Sequence, residues 1–242
     1  LVTTDAVLRG ESGDGEAAAR LFVSAQRLLR DVAPFPLATL YFREGHAAES
    51  RGDSARAAIL YRAAIDRVPG YPPAVIHLAA LLPRTGAGLR EAAAMLRPLA
   101  SRSDDPEAAG QLALVLRMLG LPGEAAALRA RAVARYDVLL KRHPEAFANH
   151  AAQFYLGAGD DPMRALALAR QHRAHVASRE AKELLFEAAL AAKAEPAACT
   201  AARDLAGAVT LTAGLAPRRD AALARCALAS PSPAGGGAKT SP

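Results

Sequence analysis

Between Ala38 and Pro69 small and bulky apolar residues alternate at intervals that suit two closely packed helices. Gly45 and Ala57 are small where the two must approach closely. Tyr41, Leu60, Tyr61, Ala64 and Ile65 supply apolar stripes on either side of a turn. Gly52 breaks the first helix, and Asp53 or Ser54 can accept backbone N–H groups at the start of the second. Pro69-Gly70 stops that helix and leads into Tyr71-Pro72-Pro73, where a new one can begin. The segment predicts helix, tight turn, helix, turn.

The rest of the chain has the composition to continue in the same way. Its 242 residues are 52% hydrophobic, enough to bury a sizeable core as one domain or as a continuous stack. Alanine, the strongest helix former, is abundant throughout, and alanine-rich helices pack at short separations. No stretch alternates at period two with β-branched residues for long enough to suggest a sheet. The expected fold is all-α.

Residues 38–69, ATLYFREGHAAESRGDSARAAILYRAAIDRVP, also resemble one tetratricopeptide (TPR) repeat. Tyr41, Gly45, Gly52, Ala57, Tyr61, Ala64 and Pro69 stand where that roughly 34-residue helical hairpin keeps its bulky, small, turn and closing residues. Glu44 and Ala48 replace the family's usual leucine and aromatic. The resemblance implies a right-handed α-solenoid of about five to six TPR-like hairpins with a C-terminal capping helix. It divides the chain into a degenerate N-terminal repeat or cap at 1–36, TPR-like repeats at 37–143, and degenerate repeats with the capping helix at 144–229.

Other hairpins follow from the same comparison. Ala18, Phe22 and Ala25 place a second helix at 14–32, after a short first helix at 3–10. Residues 72–105 form a repeat in which Pro98 is expected to end or bend the second helix early. The next repeat has a second helix that overshoots to Pro144, and two more hairpins occupy 145–178 and 179–212. A helix at 197–212 and a capping helix at 217–229 should run antiparallel about a turn at 213–216. Residues 230–242, rich in proline, glycine and serine, are expected to be a disordered tail.

In TPR proteins the first helices line a concave groove. Carried over residue by residue, the resemblance assigns partner contacts to Thr39, Phe42, His46 and Glu49, with Ser50 beside them. It continues through Ile76 and His77, Leu114, Arg117 and Met118, and then Asn149, His150 and Gln153. Phe42 and Ile76 stand where chaperone adaptors of this family keep polar carboxylate-binding residues, so that clamp is not expected. The implied function is a non-catalytic scaffold or adaptor binding a protein or peptide in the groove. One alternative is an accessory or regulatory domain of a larger enzyme or envelope machine. Another, resting on the histidines, is a metal- or small-molecule-binding solenoid.

Several function classes find no support. There is no nucleophile elbow, phosphate loop, HExxH or paired-carboxylate arrangement, so no catalytic residue is assigned and no enzyme is expected. No cofactor is implied, and the histidines, including His172 and His175, form no tight metal-ligand motif. The net charge of +6 is spread over arginines interleaved with acids. Its densest cluster, Arg129, Arg131, Arg135, Lys141 and Arg142, has no aromatic or polar readers beside it, which argues against nucleic acid. No apolar run is long enough to span a bilayer.

The start, LVTTDAVLRG, lacks both a signal peptide's pattern and an initiator methionine. This suggests removal of a presequence or upstream domain, or a chain that begins inside a longer protein. Cys199 and Cys226 stand on opposite sides of the last expected turn. Either they bridge, in a periplasmic or secreted protein, or they are two small buried residues of a cytoplasmic one.

Overall fold

Proline and aspartate mark where most of the helices begin. The computed structural model describes residues 2–29, 33–208, 211–212 and 214–229. Among them it contains thirteen helices and no strand. In chain order these are α1 Val2–Glu11, α2 Gly15–Leu28, α3 Pro34–Ser50, α4 Ser54–Arg67, α5 Pro72–Leu81, α6 Gly86–Arg102 and α7 Pro106–Met118. There follow α8 Pro122–Arg142, α9 Pro144–Leu156, α10 Pro162–His175, α11 Arg179–Ala191, α12 Glu195–Asp204 and α13 Leu215–Ala229. Asp14, Asp53 and Asp161 accept the backbone N–H groups of Ala17, Arg56 and Arg164 at 3.0 Å, satisfying donors that a helix start leaves open. Proline occupies the first turn of α3, α5, α7, α8, α9, α10 and α12. There it has no N–H to satisfy and its fixed φ suits the helix.

Consecutive helices pack on one another along the whole chain, a solenoid-like arrangement. The odd-numbered helices also meet each other: α1 touches α3, α5 touches α7, α7 touches α9 and α9 touches α11. The even-numbered helices make no comparable contacts among themselves. The odd-numbered helices therefore form the more closely spaced layer, and the stack is concave on their side. No helix among the described residues is long and apolar enough to cross a membrane.

The core is a series of alanine-rich clusters along the stack, most of them anchored by a ring, while the one joining α5, α6 and α7 is aliphatic. Tyr61 is fully buried among Ala38, Ala48, Ala57, Ala64, Ala74 and Leu78. Tyr136 and Phe154 anchor the cluster that joins α7, α8, α9 and α10. Small residues let the rings in: a Cβ added at Gly45 would lie 2.7 Å from the Tyr61 ring, and one at Gly110 2.7 Å from the Phe154 ring. Gly52 and Gly120 turn α3 into α4 and α7 into α8 with φ of +84° and +76°, a region that L side chains avoid.

Several expectations from the sequence need correction. Helix α6 runs through Pro98 to Arg102, because buried Leu96 and Ala100 hold the segment on either side of the lost N–H. Helix α12 stops at Asp204, short of 212, with Leu205 turned into the core as its cap. The last helix starts at Leu215, inside the expected turn, whose Ala213 lies outside the described residues. The tail at 230–242 also lies outside them. The helix expected to overshoot to Pro144 is α8, which ends at Arg142 just before it.

Candidate binding face

Residues three and four apart on a helix share a face, and α3 uses that spacing to present Thr39, Phe42, His46 and Glu49 together. Phe42 stands at the centre of a ring cluster. Its centroid is 5.3 Å from His77 of α5, 5.8 Å from Tyr61 of α4, 6.1 Å from Tyr71 and 6.2 Å from His46. The His46 and His77 rings are themselves 5.3 Å apart. Thr39 Oγ1 and the Tyr71 hydroxyl share a hydrogen bond of 3.2 Å. One carboxylate closes the group: Glu49 accepts from the Tyr61 hydroxyl at 2.5 Å and faces His77 Nδ1 at 2.9 Å.

These contacts set the charges of the face. Burial pushes the Glu49 carboxyl upward, but the hydrogen bonds of His77 and Tyr61 and the histidine charges outweigh it, leaving its pKa below the ordinary value. The Tyr61 hydroxyl is raised by burial and by its bond to Glu49, so it stays a donor. His46 opens towards the concave side yet has protein on most sides. Burial first, and neighbouring His77 second, hold its pKa below 6.5.

A second polar contact lies further along the odd-numbered helices. Glu107 of α7 faces His150 Nδ1 of α9 at 3.4 Å. The Glu107 hydrogen bond is the main reason that His150 is raised above 6.5, against the pull of burial. Burial acts the other way on Glu107, but His150 outweighs it and Glu107 is lowered. His77 adds to that lowering, and His172 of α10 is lowered by burial and by the charge of His150. At the far end, Arg179 and Glu180 of α11 act electrostatically on His46 of α3. The odd-numbered helices thus carry an aromatic and polar cluster where α3 and α5 meet, with Tyr61 of α4, and a separate Glu107–His150 pair between α7 and α9.

Some assigned residues join these groups and others do not. Thr39, Phe42, His46, Glu49 and His77 come together, while His150 and Gln153 are exposed on α9 with Asn149 half-buried beside them. Ile76 is only 6% exposed and packs with Val75, Ala79 and Leu112, so it is a core residue and not a contact for a partner. Leu114 packs partly against the core, and it lines with Arg117 a separate depression against α8 that includes Arg129 and Ala158. His175 lies 3.9 Å from Glu145, away from both groups. Among the described residues no three His, Cys, Asp or Glu side chains converge as a metal site would require.

Three residues of this side were not assigned from the sequence. Glu107 was within reach, because in the expected TPR-like register it takes the place that Thr39 takes in residues 38–69. Arg179 and Glu180 gave no local signal, since only the curl of the stack brings them opposite His46. Three members of the basic cluster of α8 are engaged by neighbours: Arg129 donates to the Gly159 carbonyl, Arg131 to the Ala100 carbonyl, and Arg135 pairs with Asp104 at 2.8 Å.

No family model matches the chain, and no curated protein matches it. Among solved structures it is similar to the crystal structure of BtubC (BKLC) from P. vanneervenii. That likeness has 16% sequence identity and a TM-score of 0.32, and covers 100% of this chain and 85% of that one. A TM-score this low carries no argument about fold or function.

Proposed function

We propose that this chain is a right-handed TPR-like solenoid of five to six hairpins, acting as a non-catalytic scaffold that holds a protein or peptide against its concave side. The observation that carries this reading is the cluster of Thr39, Phe42, His46, Glu49 and His77 on α3 and α5, with the Glu107–His150 pair further along the odd-numbered helices. Such a face offers hydrogen-bonding groups at helix-to-helix intervals beside an apolar ring cluster, which suits an extended or helical segment. Its side chains are already held by Tyr61, Glu49 and Glu107, so little ordering is needed on binding. The Cys199–Cys226 disulfide, with Cα atoms 5.8 Å apart, supports a periplasmic or secreted setting.

The test is selection of peptides from a displayed random library, followed by calorimetric titration of the winners. Asn149→Ala with Gln153→Ala should weaken binding by about tenfold or more without changing the circular dichroism spectrum. A library that yields no binder, or binders indifferent to both substitutions, would overturn the concave-groove reading.

A further inference from the structure

The two layers of the stack differ in charge. The inner helices, α1, α3, α5, α7, α9 and α11, carry five Arg and Lys against nine Asp and Glu. The outer helices, α2, α4, α6, α8 and α10, carry sixteen against five. The excess ends there, because α12 has Arg203 against Glu195 and Asp204. Along the sequence the two signs are interleaved, but alternate helices fall in alternate layers, so folding sorts them.

Ion pairs remove only part of the outer charge. Of the five outer acids, Glu16, Glu124 and Asp137 pair with Arg20, Arg97 and Arg164. Asp66 and Glu91 remain on the layer, with Asp160 in the turn before α10. From outside the layer, Glu44 takes Arg56 and Asp104 takes Arg135. Asp14, Asp53 and Asp161 at the helix starts are occupied as caps. Arg27, Arg62, Arg90, Arg102, Arg142 and Arg170 are exposed and make no hydrogen bond or ion pair among the described residues. Every outer helix supplies at least one of these free guanidinium groups.

Shape and side-chain type decide what such a layer can meet. Fifteen of its sixteen cations are arginine, whose planar fork matches the oxygens of a phosphate. The layer is convex, so a flat bilayer would touch one or two helices at a time, whereas a flexible chain can follow all five. Phe22, Tyr61 and Tyr136 are the Phe and Tyr residues of these helices, and each is at most 1% exposed. The layer therefore offers none of these rings for stacking bases.

We propose that the outer layer docks a flexible linear polyanion, a chain of closely spaced phosphate groups without bases, laid across the free arginines of successive outer helices. The surface is independent of the groove reading, since no residue assigned to the groove lies on α2, α4, α6, α8 or α10.

The test is anisotropy titration of the full chain against labelled long-chain inorganic polyphosphate. Affinity should fall by at least about tenfold between roughly 50 mM and 200 mM salt, as counterion release requires. Arg62→Glu with Arg90→Glu and Arg142→Glu should weaken binding by at least about tenfold with the circular dichroism spectrum unchanged, since none of the three holds another side chain. Arg9→Glu with Arg43→Glu and Lys182→Glu changes the net charge equally but on the inner layer, and should cost less than about threefold. Oligodeoxythymidylate and phosphatidylglycerol vesicles, titrated alongside, should bind no more tightly than polyphosphate. No binding of polyphosphate at micromolar concentration, equal losses in the two triple variants, or tighter binding of the oligonucleotide or the vesicles would overturn the proposal.

Discussion

At the scale of single residues, the most exacting demand falls on Gly45. The Tyr61 ring fills the space that a side chain would need, and Tyr61 cannot swing aside because it is fully buried and its hydroxyl is held by Glu49 at 2.5 Å. Gly45→Leu is expected to destabilise the protein by about 1–3 kcal/mol through overpacking. Denaturant unfolding of the two proteins checks this, and an unchanged midpoint would contradict the close approach. Glu44 makes the opposite point. It stands where the TPR resemblance would place leucine and is only 3% exposed, yet Gln26 donates to it at 2.8 Å and Arg56 at 2.6 Å. Its burial is tolerated because both oxygens are satisfied, and those bonds tie α2 and α4 to α3. A departure from the repeat pattern that looks like a defect in the sequence is a polar tie between hairpins.

Between elements, the Glu107–His150 pair joins α7 to α9 and gives that contact a pH dependence. His150 is raised in the folded chain, so its contribution is fully present below its unfolded value of about 6.5 and is lost as pH rises through the folded value. Glu107 is lowered, so its contribution is present above about 4.5 and is lost as pH falls through its folded value. The pair is therefore strongest between the lowered carboxyl and the raised imidazole. Both groups are more than a third exposed, with side-chain exposures of 45% and 36%, so solvent screens the effect on stability and the titration itself is the better readout. NMR titration should place His150 above 6.5 and His46 and His172 below it. Glu107→Gln should bring His150 down to or below its ordinary value, since burial then acts with no anion bonded to it. An unmoved His150 would remove the pair from the description of the face.

For the whole molecule, the disulfide fixes how the chain ends. It links α12 to α13 across 27 residues of sequence and holds the last helix, through Leu215 and Ala222, over Phe186, Ala202 and Leu205. Cys199→Ser with Cys226→Ser should lower stability by about 2–4 kcal/mol by freeing the unfolded chain. Hydrogen exchange should show the loss first in α13. Protein purified without reductant should give no free thiols under denaturing conditions and an intact mass two hydrogens below the reduced value. Two free thiols there would remove the support for an oxidising compartment.

Helix type and the approximate positions of most helices were legible in the sequence, because alanine content, proline at first turns and Asp14, Asp53 and Asp161 act within one or two turns of chain. Phe42, His46, Glu49 and His77 came to notice through the TPR resemblance, and the structure brings these four side chains together. Boundaries failed where distant contacts compete with local ones, as at Pro98, which packing carries through α6, and at Asp204, where α12 stops early. Ile76 failed because a face is divided between core and groove by the neighbouring helix, which local periodicity does not contain. The division of charge between the layers was beyond reach altogether. Along the chain basic and acidic residues are interleaved, and only the alternation of inner and outer helices in the folded stack sorts them apart.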